Sequence, residues 1–400
     1  MATSFTFVHA ADLHLDSPFS GLSRLQDWLA PILAEASLKA WDRLVEEALL
    51  GADFLVLAGD VFDHGHPSLR AVWRFRDGLR RLGAAGIPVF WAAGNHDHAV
   101  IGAAPVAWPD NVHRFPAGRP ETERVMRDGR ELCRVSGISY PAQAVEENYA
   151  RLLTPDPAAT FSIAVLHANV GQQGSHLNYA PAALRDLTTG GFDYWALGHI
   201  HHRTILSEEP WVVYPGNLQG RHPRECGRKG LMRVSVTEAG EIRPVFRPLN
   251  LVRWEVVLVD ATGAETLEAV EDAAAGALNA LKLDGDEEGA VVRLVLTGRT
   301  SLVDETRDWT DLAGRLSSDA PDPGFIFVES VTTAWQKPRV DAPAEGFWGE
   351  ILAEWGRRRG PVESLGGPLL AGLPVDGGEV AESARLMLAE LLEEVPQDAD

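Results

Sequence analysis

An α/β sandwich is the fold class that this 400-residue sequence predicts, and three observations predict it. Short β-rich runs alternate with helix-like stretches through the first 250 residues, the order expected of βαβ units. Most of these runs are nearly continuous in apolar residues, which suits strands covered on both faces. Five of them end in polar residues of ion-binding types, and in open α/β sheets a ligand sits beyond the carboxyl ends of the strands.

FTFVHA reads as the first strand, followed by a helix near residues 38–50, the strand ADFLVLAGD, a helix near residues 69–82 and the strand IPVFWAAGNHD. ELCRVSGISY, FSIAVLHAN, FDYWALGHIHH, WVVYPGN and GLMRVSVT continue the series. Near residue 250 the pattern restarts. RWEVVLVD, an Ala-rich helical stretch over residues 264–281, VVRLVLTG, a shorter helix near Leu312 and FIFVESVTTAW form a compact β-α-β-α-β unit. The expected domains are 1–250, 251–340 and a remainder, 341–400. In the remainder GGPLLAGLPVDGG (366–378) reads as a Gly/Pro linker. Val380, Ala384, Met387, Leu388, Leu391 and Val395 then recur at helical spacing and give an amphipathic last helix, which covers either the protein's own core or a partner.

Apolar residues make up 45% of the chain and charged residues 23%, a globular balance. No run approaches the ~18 apolar residues that a bilayer span needs, and a polar motif at Asp12 interrupts any secretory signal. A cytoplasmic protein without a membrane partner is expected. Cys133 and Cys226 are too few for a disulfide framework and read as free thiols. The net charge of −21 argues at first against a polyanionic partner. Its distribution weakens that argument: residues 1–250 hold 24 Lys+Arg against 27 Asp+Glu, and residues 251–400 hold 12 against 30.

The five strand ends are ADLH (Asp12, His14), GDVFD (Asp60, Asp63), GNHD (Asn95, His96, Asp97), LHAN (His167, Asn169) and GHIH (His199, His201). Strand alternation lets Asp12 and His14 aim at one point. The glycines before Asp60, Asn95 and His199 permit tight turns and close backbone approach. Each fragment alone is weak, since D-x-H is common and GNHD by itself suits an Asn turn with a helix cap. Together they bring two carboxylates, one carboxamide and four imidazoles to strand ends, a set costly to bury without a partner. Such ligands without thiolate suit manganese, iron or zinc in a catalytic site rather than a structural one. Seven ligands are too many for one catalytic ion and fit two ions that share a carboxylate. His202 follows His201 directly and should point to the opposite face of a strand; His9 reads as a core residue, and His113, His176 and His222 stand isolated.

The order D-x-H, GD-x-x-D, GNHD, a lone His and GH-x-H resembles the calcineurin-like metallophosphoesterase superfamily. Within it the chain is similar to SbcD-type nucleases and their Mre-type relatives, and HAADLHLDSPFSGL and VVYPGNLQGRHPRE resemble the YhaO-like branch of DNA repair exonucleases. The resemblance implies a four-layer α/β/β/α metallophosphoesterase sandwich, a small α/β capping domain, and a C-terminal helical segment that docks an SbcC-like coiled-coil ATPase. It also implies two divalent metal ions, manganese foremost. Asp12, His14 and His201 would hold one ion, Asn95, His167 and His199 the other, with Asp60 bridging. His96 matches the family's non-ligand histidine beside the scissile phosphate. Asp63 matches the residue that supports it, with His64 as a neighbouring candidate for that support.

The implied activity is metal-dependent phosphodiester hydrolysis by a DNA exonuclease subunit in repair. The alternatives are a nucleotide phosphodiesterase or phosphatase of the same superfamily, and a non-catalytic scaffold for an ATPase. Members of the family pair as dimers, so a homodimer is also allowed. The segment PGNLQGRHPRECGRKGLMR (215–233) holds Arg221, Arg224, Arg228, Lys229 and Arg233 against one acid, Glu225. Its charge pattern supports a phosphate track and a solvated loop equally. The resemblance favours DNA, with Arg221, Arg224 and Asn217 as substrate-binding residues.

Overall fold

FTFVHA folds as β1 (Phe5–Ala10), a buried strand whose alternation serves two cores at once. Phe5 and Phe7 face one side, while Val8 and Ala10 face the other. The computed structural model describes residues 3–22, 25–63, 67–98, 107–171, 179–283, 286–304 and 308–337. After β1 come α1 (Leu29–Leu49), β2 (Phe54–Ala58), α2 (Leu69–Ala84), β3 (Val89–Ala92), β4 (Val112–Arg114), β5 (Glu121–Arg127) and β6 (Arg130–Gly137). A 3-10 turn at Tyr149–Arg151 precedes β7 (Ser162–His167), α3 (Leu184–Thr188), β8 (Tyr194–Gly198), β9 (Thr204–Glu208), β10 (Trp211–Tyr214), β11 (Gly230–Val236) and β12 (Ile242–Pro248). Then follow β13 (Val252–Asp260), α4 (Leu267–Asn279), β14 (Gly289–Thr297), α5 (Thr310–Arg315) and β15 (Phe325–Thr333).

Two six-stranded sheets carry the architecture, with strand orders β12-β11-β1-β2-β3-β4 and β5-β6-β7-β8-β10-β9. In the first, β1 to β4 run parallel and β11 pairs antiparallel with β1. In the second, β6, β7, β8 and β10 run parallel. Phe7 stacks on Phe54 with ring centres 5.1 Å apart and meets Tyr194 of the other sheet edge-on at 5.2 Å. These rings belong to the core between the sheets. The outer face of the first sheet is covered by α1 and α2 through Trp41, Leu44, Phe75 and Leu79. The outer face of the second is covered by the turn at Tyr149–Arg151 and by α3. The layers therefore run helix, sheet, sheet, helix, as the expected four-layer sandwich requires. A separate three-stranded sheet has the order β13-β14-β15.

α1 begins nine residues earlier than the sequence pattern suggests, at Leu29 rather than residue 38. Pro31 lies in its first turn, where a missing N–H leaves no helical hydrogen bond unmade. Those extra turns pack Leu29 and Leu33 against Leu251, Trp254, Phe325 and Phe327. Accordingly the described residues within 3–259, 274–295 and 308–332 form one compact unit. The described residues 260–273, 296–304 and 333–337 belong to a second unit, within which Ala261 N donates to Thr297 O at 2.9 Å.

Four strands leave no clear mark in the sequence: β4, β5, β9 and β12. They are the four edge strands of the two large sheets. An edge strand keeps one side in water, so ETERVMR and IRPVFRP carry charge and, in the second case, two prolines. The 366–378 linker, the helix expected from Val380 to Val395, His64 and His176 lie outside the described residues. Among the described residues no helix is long and apolar enough to cross a membrane.

Candidate metal centre

The strands stop before the chemistry begins. β1 ends at Ala10, and Asp12 and His14 follow in a loop with φ of 52° and 42°. Strand alternation is thus not what aims them. Their aim comes from pairing with the next turn: Asp12 N donates to Gly59 O at 3.0 Å and His14 N to Asp60 O at 3.0 Å. Asp60 (φ 51°) and His199 (φ 101°) share this left-handed backbone, which is strained for side chains other than glycine and concentrates at functional sites. β8 likewise ends at Gly198, so the separation of His201 from exposed His202 is a property of the following turn. Close approach sets the glycines. A Cβ on Gly198 would lie 1.8 Å from Ala58 O, and one on Gly59, itself at φ 89°, would lie 2.4 Å from His167 Nδ1.

Asp12, His14 and His201 bring ligand atoms within 4.8 Å of one another, and so do Asp12, Asp60 and His167. His14 Nε2 and His201 Nε2 are 3.2 Å apart. Burial, aided by the nearby Arg221 charge, lowers the His14 pKa to about 3 and keeps that ring neutral. Asp12 accepts His199 N on both oxygens at 3.0 Å, and burial pushes its pKa above the usual carboxylate value. His167 Nδ1 donates to Ala58 O at 2.9 Å, which turns Nε2 toward Asn95 Oδ1 at 2.9 Å and Asp60 Oδ2 at 3.3 Å. Burial would lower the His167 pKa, yet the Asp60 charge and hydrogen bond raise it to about 9. The His199 ring stands edge-on to His167 at 5.2 Å. Two buried carboxylates, one carboxamide oxygen and imidazole nitrogens converge here. That donor set fits divalent cations, since buried anions need compensating charge.

Beside these groups lies a histidine–carboxylate pair. His96 Nδ1 is 2.7 Å from Asp63 Oδ1. Burial disfavours the His96 cation, but the hydrogen bond to Asp63 and the charges of Asp60 and Asp63 raise its pKa above the ordinary value. Asp63 is held in turn by Ser17 Oγ and by Arg221 Nη1, the latter at 3.1 Å. The loop before β11 therefore behaves differently from its charge pattern. Arg221 is tied to Asp63 and to Ser17 Oγ at 2.7 Å. Lys229, 4% exposed, donates to His201 O at 2.8 Å, and Arg233 pairs with Glu47 at 3.3 Å. Asn217 is fully buried and donates to Gln219 O at 2.9 Å and to Glu225 at 3.0 Å. Arg224 and Arg228 are exposed.

His9 is a core residue, with Nδ1 3.1 Å from Tyr194 Oη and Nε2 3.1 Å from Leu197 O. His113 pairs with Glu121 at 3.2 Å, outside the cluster. Three participants carry no role in the sequence pattern: Ser17, Glu225 and Asp97. Asp97 accepts Val61 N at 2.9 Å and Gly94 N at 2.6 Å, clamping two site turns together. Burial and the Asp60 charge push its pKa up to about 7. Its place in GNHD was a signal, as was the isolation of Glu225 among five basic residues.

Two donor groups that share Asp12, with Asp60 between His14 and His167 and a histidine–carboxylate pair alongside, define a metallophosphoesterase site. The chain belongs to the calcineurin-like phosphoesterase family, whose profile matches residues 5–203. Residues 254–336 match the middle domain of metallophosphoesterase YhaO. Over 300 residues the chain is 40% identical to the uncharacterized metallophosphoesterase YhaO of Bacillus subtilis, covering 74% of this chain and 73% of that one. It is 26% identical to the DNA double-strand break repair protein Mre11 of Methanopyrus kandleri, over 64% of this chain and 59% of that one. It is 32% identical to the SbcD component of the nuclease SbcCD of Bacillus subtilis, over 34% of each chain.

Proposed function

We propose that the chain is a two-metal phosphodiester hydrolase that degrades DNA from its ends in the cytoplasm, working with an SbcC-like coiled-coil ATPase. The reading is carried by Asp60, whose Oδ2 lies 3.3 Å from His167 Nε2 and 3.9 Å from His14 Nε2 and so stands between the two donor groups. Asp12, His14 and His201 would hold one ion, Asn95, His167 and His199 the other, with manganese the expected metal. Bound there, the pair would supply an activated water and neutralise the phosphoryl oxygens. The chain's own part lies with His96. Asp63 orients its Nδ1 and favours the charged ring, which leaves Nε2 to donate a proton to the departing oxygen. Arg221 supports Asp63, so the exposed Arg224 is the better candidate for the phosphate backbone. DNA as substrate, and the ATPase partner, draw support from the likeness to Mre11 and to the SbcD component of SbcCD. The capping role of residues 251–340 is part of the same reading.

An end-labelled DNA duplex incubated with manganese tests it. Wild type should shorten the label progressively, and His96→Ala should not. Intact DNA beside rapid hydrolysis of a cyclic nucleotide would reassign the substrate, and no hydrolysis of either would remove the catalytic reading.

A further inference from the structure

We propose that Glu225 is the positioning residue that sets His201 for metal binding, so that the loop between β10 and β11 completes a donor group that the sandwich alone leaves unfinished. The inference rests on the metal assignment proposed above. Glu225 Oε1 is 2.6 Å from His201 Nδ1. An ionised carboxylate only accepts hydrogen bonds, so Nδ1 must carry the hydrogen. A neutral ring then keeps its lone pair on Nε2, the atom that faces His14 Nε2 at 3.2 Å.

Glu225 is itself held. Oε2 accepts Asn217 Nδ2 at 3.0 Å and Arg221 N at 2.7 Å, and Glu225 N donates to His222 O at 2.8 Å. Both carboxylate oxygens are therefore engaged, and the side chain has one orientation. His167 gets the same service from a backbone carbonyl, Ala58 O. His201 follows the end of β8 and depends on a side chain from a different loop. A carboxylate behind an imidazole ligand fixes its tautomer and raises its basicity, and losing such a group typically weakens metal affinity by about 10–100-fold. The single acid in the basic segment 215–233 is thereby explained. Asn217 and Arg221 acquire a shared task as well, since both hold Glu225 while Arg221 also steadies Asp63.

The test uses the full chain, stripped of metal and titrated with Mn²⁺ while the free aqua ion is followed by electron paramagnetic resonance. Histidine ring ¹⁵N spectra of the metal-free protein are recorded in parallel, with His201 assigned by substitution. Wild type should take up two ions and show His201 protonated on Nδ1. Glu225→Ala should keep one ion and bind the second about 10–100-fold more weakly, with the Nδ1-protonated form depleted. Glu225→Gln should fall between, because its amide oxygen still accepts from Nδ1 but carries no charge. Two ions bound by Glu225→Ala with wild-type affinities would overturn the proposal. So would His201 protonated on Nε2 in wild type. If Glu225→Ala fails to fold, unchanged affinities in Glu225→Gln would overturn it instead. Should wild type bind fewer than two ions, the metal assignment fails, and the ring spectrum alone decides whether Glu225 sets the tautomer.

Discussion

His14 and His201 point their Nε2 atoms at each other across 3.2 Å although 187 residues separate them in the chain. A neutral His14 carries one ring hydrogen, and when that hydrogen and the one on His201 sit on Nδ1, two lone pairs face each other and a shared cation relieves them. Metal should therefore stabilise the fold. At free Mn²⁺ about 100-fold above its dissociation constant, one bound ion adds about 2.7 kcal/mol. Thermal unfolding with and without chelator should show the difference in wild type and a smaller one in His14→Ala. Equal shifts in both proteins would place the ion elsewhere.

Metal uptake should also depend on pH through His167. Its pKa of about 9 in the ion-free chain means that the ring is protonated at neutral pH, and an ion bound at Nε2 must displace that proton. The apparent affinity should rise with pH, by up to about tenfold per unit, and level off above about 9. Titrations at several pH values, in buffers of different ionisation enthalpy, would count the proton released. A flat profile would contradict the assignment.

Asp63 and His96 predict the shape of the rate profile. The proton on His96 is needed for donation, so activity should fall as pH rises through its pKa, which Asp63 holds above the ordinary value. Asp63→Asn removes that support and should move the alkaline limb to lower pH. His96→Ala should cost about 10²–10⁴ in kcat while leaving ion uptake unchanged. Loss of the ions in His96→Ala would make it a ligand instead.

Acid sensitivity should come partly from His9. Burial lowers its pKa from 6.5 to about 3, so the folded protein keeps the ring neutral where the unfolded chain protonates it. Stability from this group is present above 6.5 and is lost as pH falls toward 3, at up to about 1.4 kcal/mol per unit. Urea unfolding of His9→Gln between neutral pH and pH ~4 should lose less stability than wild type.

The sheet interface makes its own prediction. Phe54 stacks on Phe7 at 5.1 Å and meets Phe90 edge-on at 5.9 Å, with no exposure of its own. Phe54→Ala should cost about 3–5 kcal/mol in chemical denaturation, whereas Val245→Ala on an exposed edge should cost about 0.5 kcal/mol or less.

How much of this is legible depends on burial. The central strands FLVLA and YWALG are apolar throughout because both faces are covered, and that composition survives in the sequence. The edge strands are hidden because water on one side lets them carry Glu, Arg and Pro like any loop. The start of α1 is hidden too, because Leu29 and Leu33 pack on Leu251, Trp254, Phe325 and Phe327, partners more than 200 residues away that no local pattern records. The donor residues are found by type and order, but strand alternation is the wrong reason for the aim of Asp12 and His14. Positive φ angles and hydrogen bonds to Gly59 and Asp60 set that aim, and neither leaves a periodic trace.

By itself the sequence determined the kinds of side chain available, their succession at strand ends, and the strand–helix alternation behind the parallel centres of the two large sheets. Those are local properties, set by composition and spacing. Only the tertiary structure decided that Arg221, Lys229 and Arg233 turn inward, that Asn217 is buried, and that Glu225 stands behind His201. A charge in a loop has no preferred partner until folding brings a carboxylate or carbonyl within about 3 Å, and buried polar groups then take whichever partner ends their desolvation.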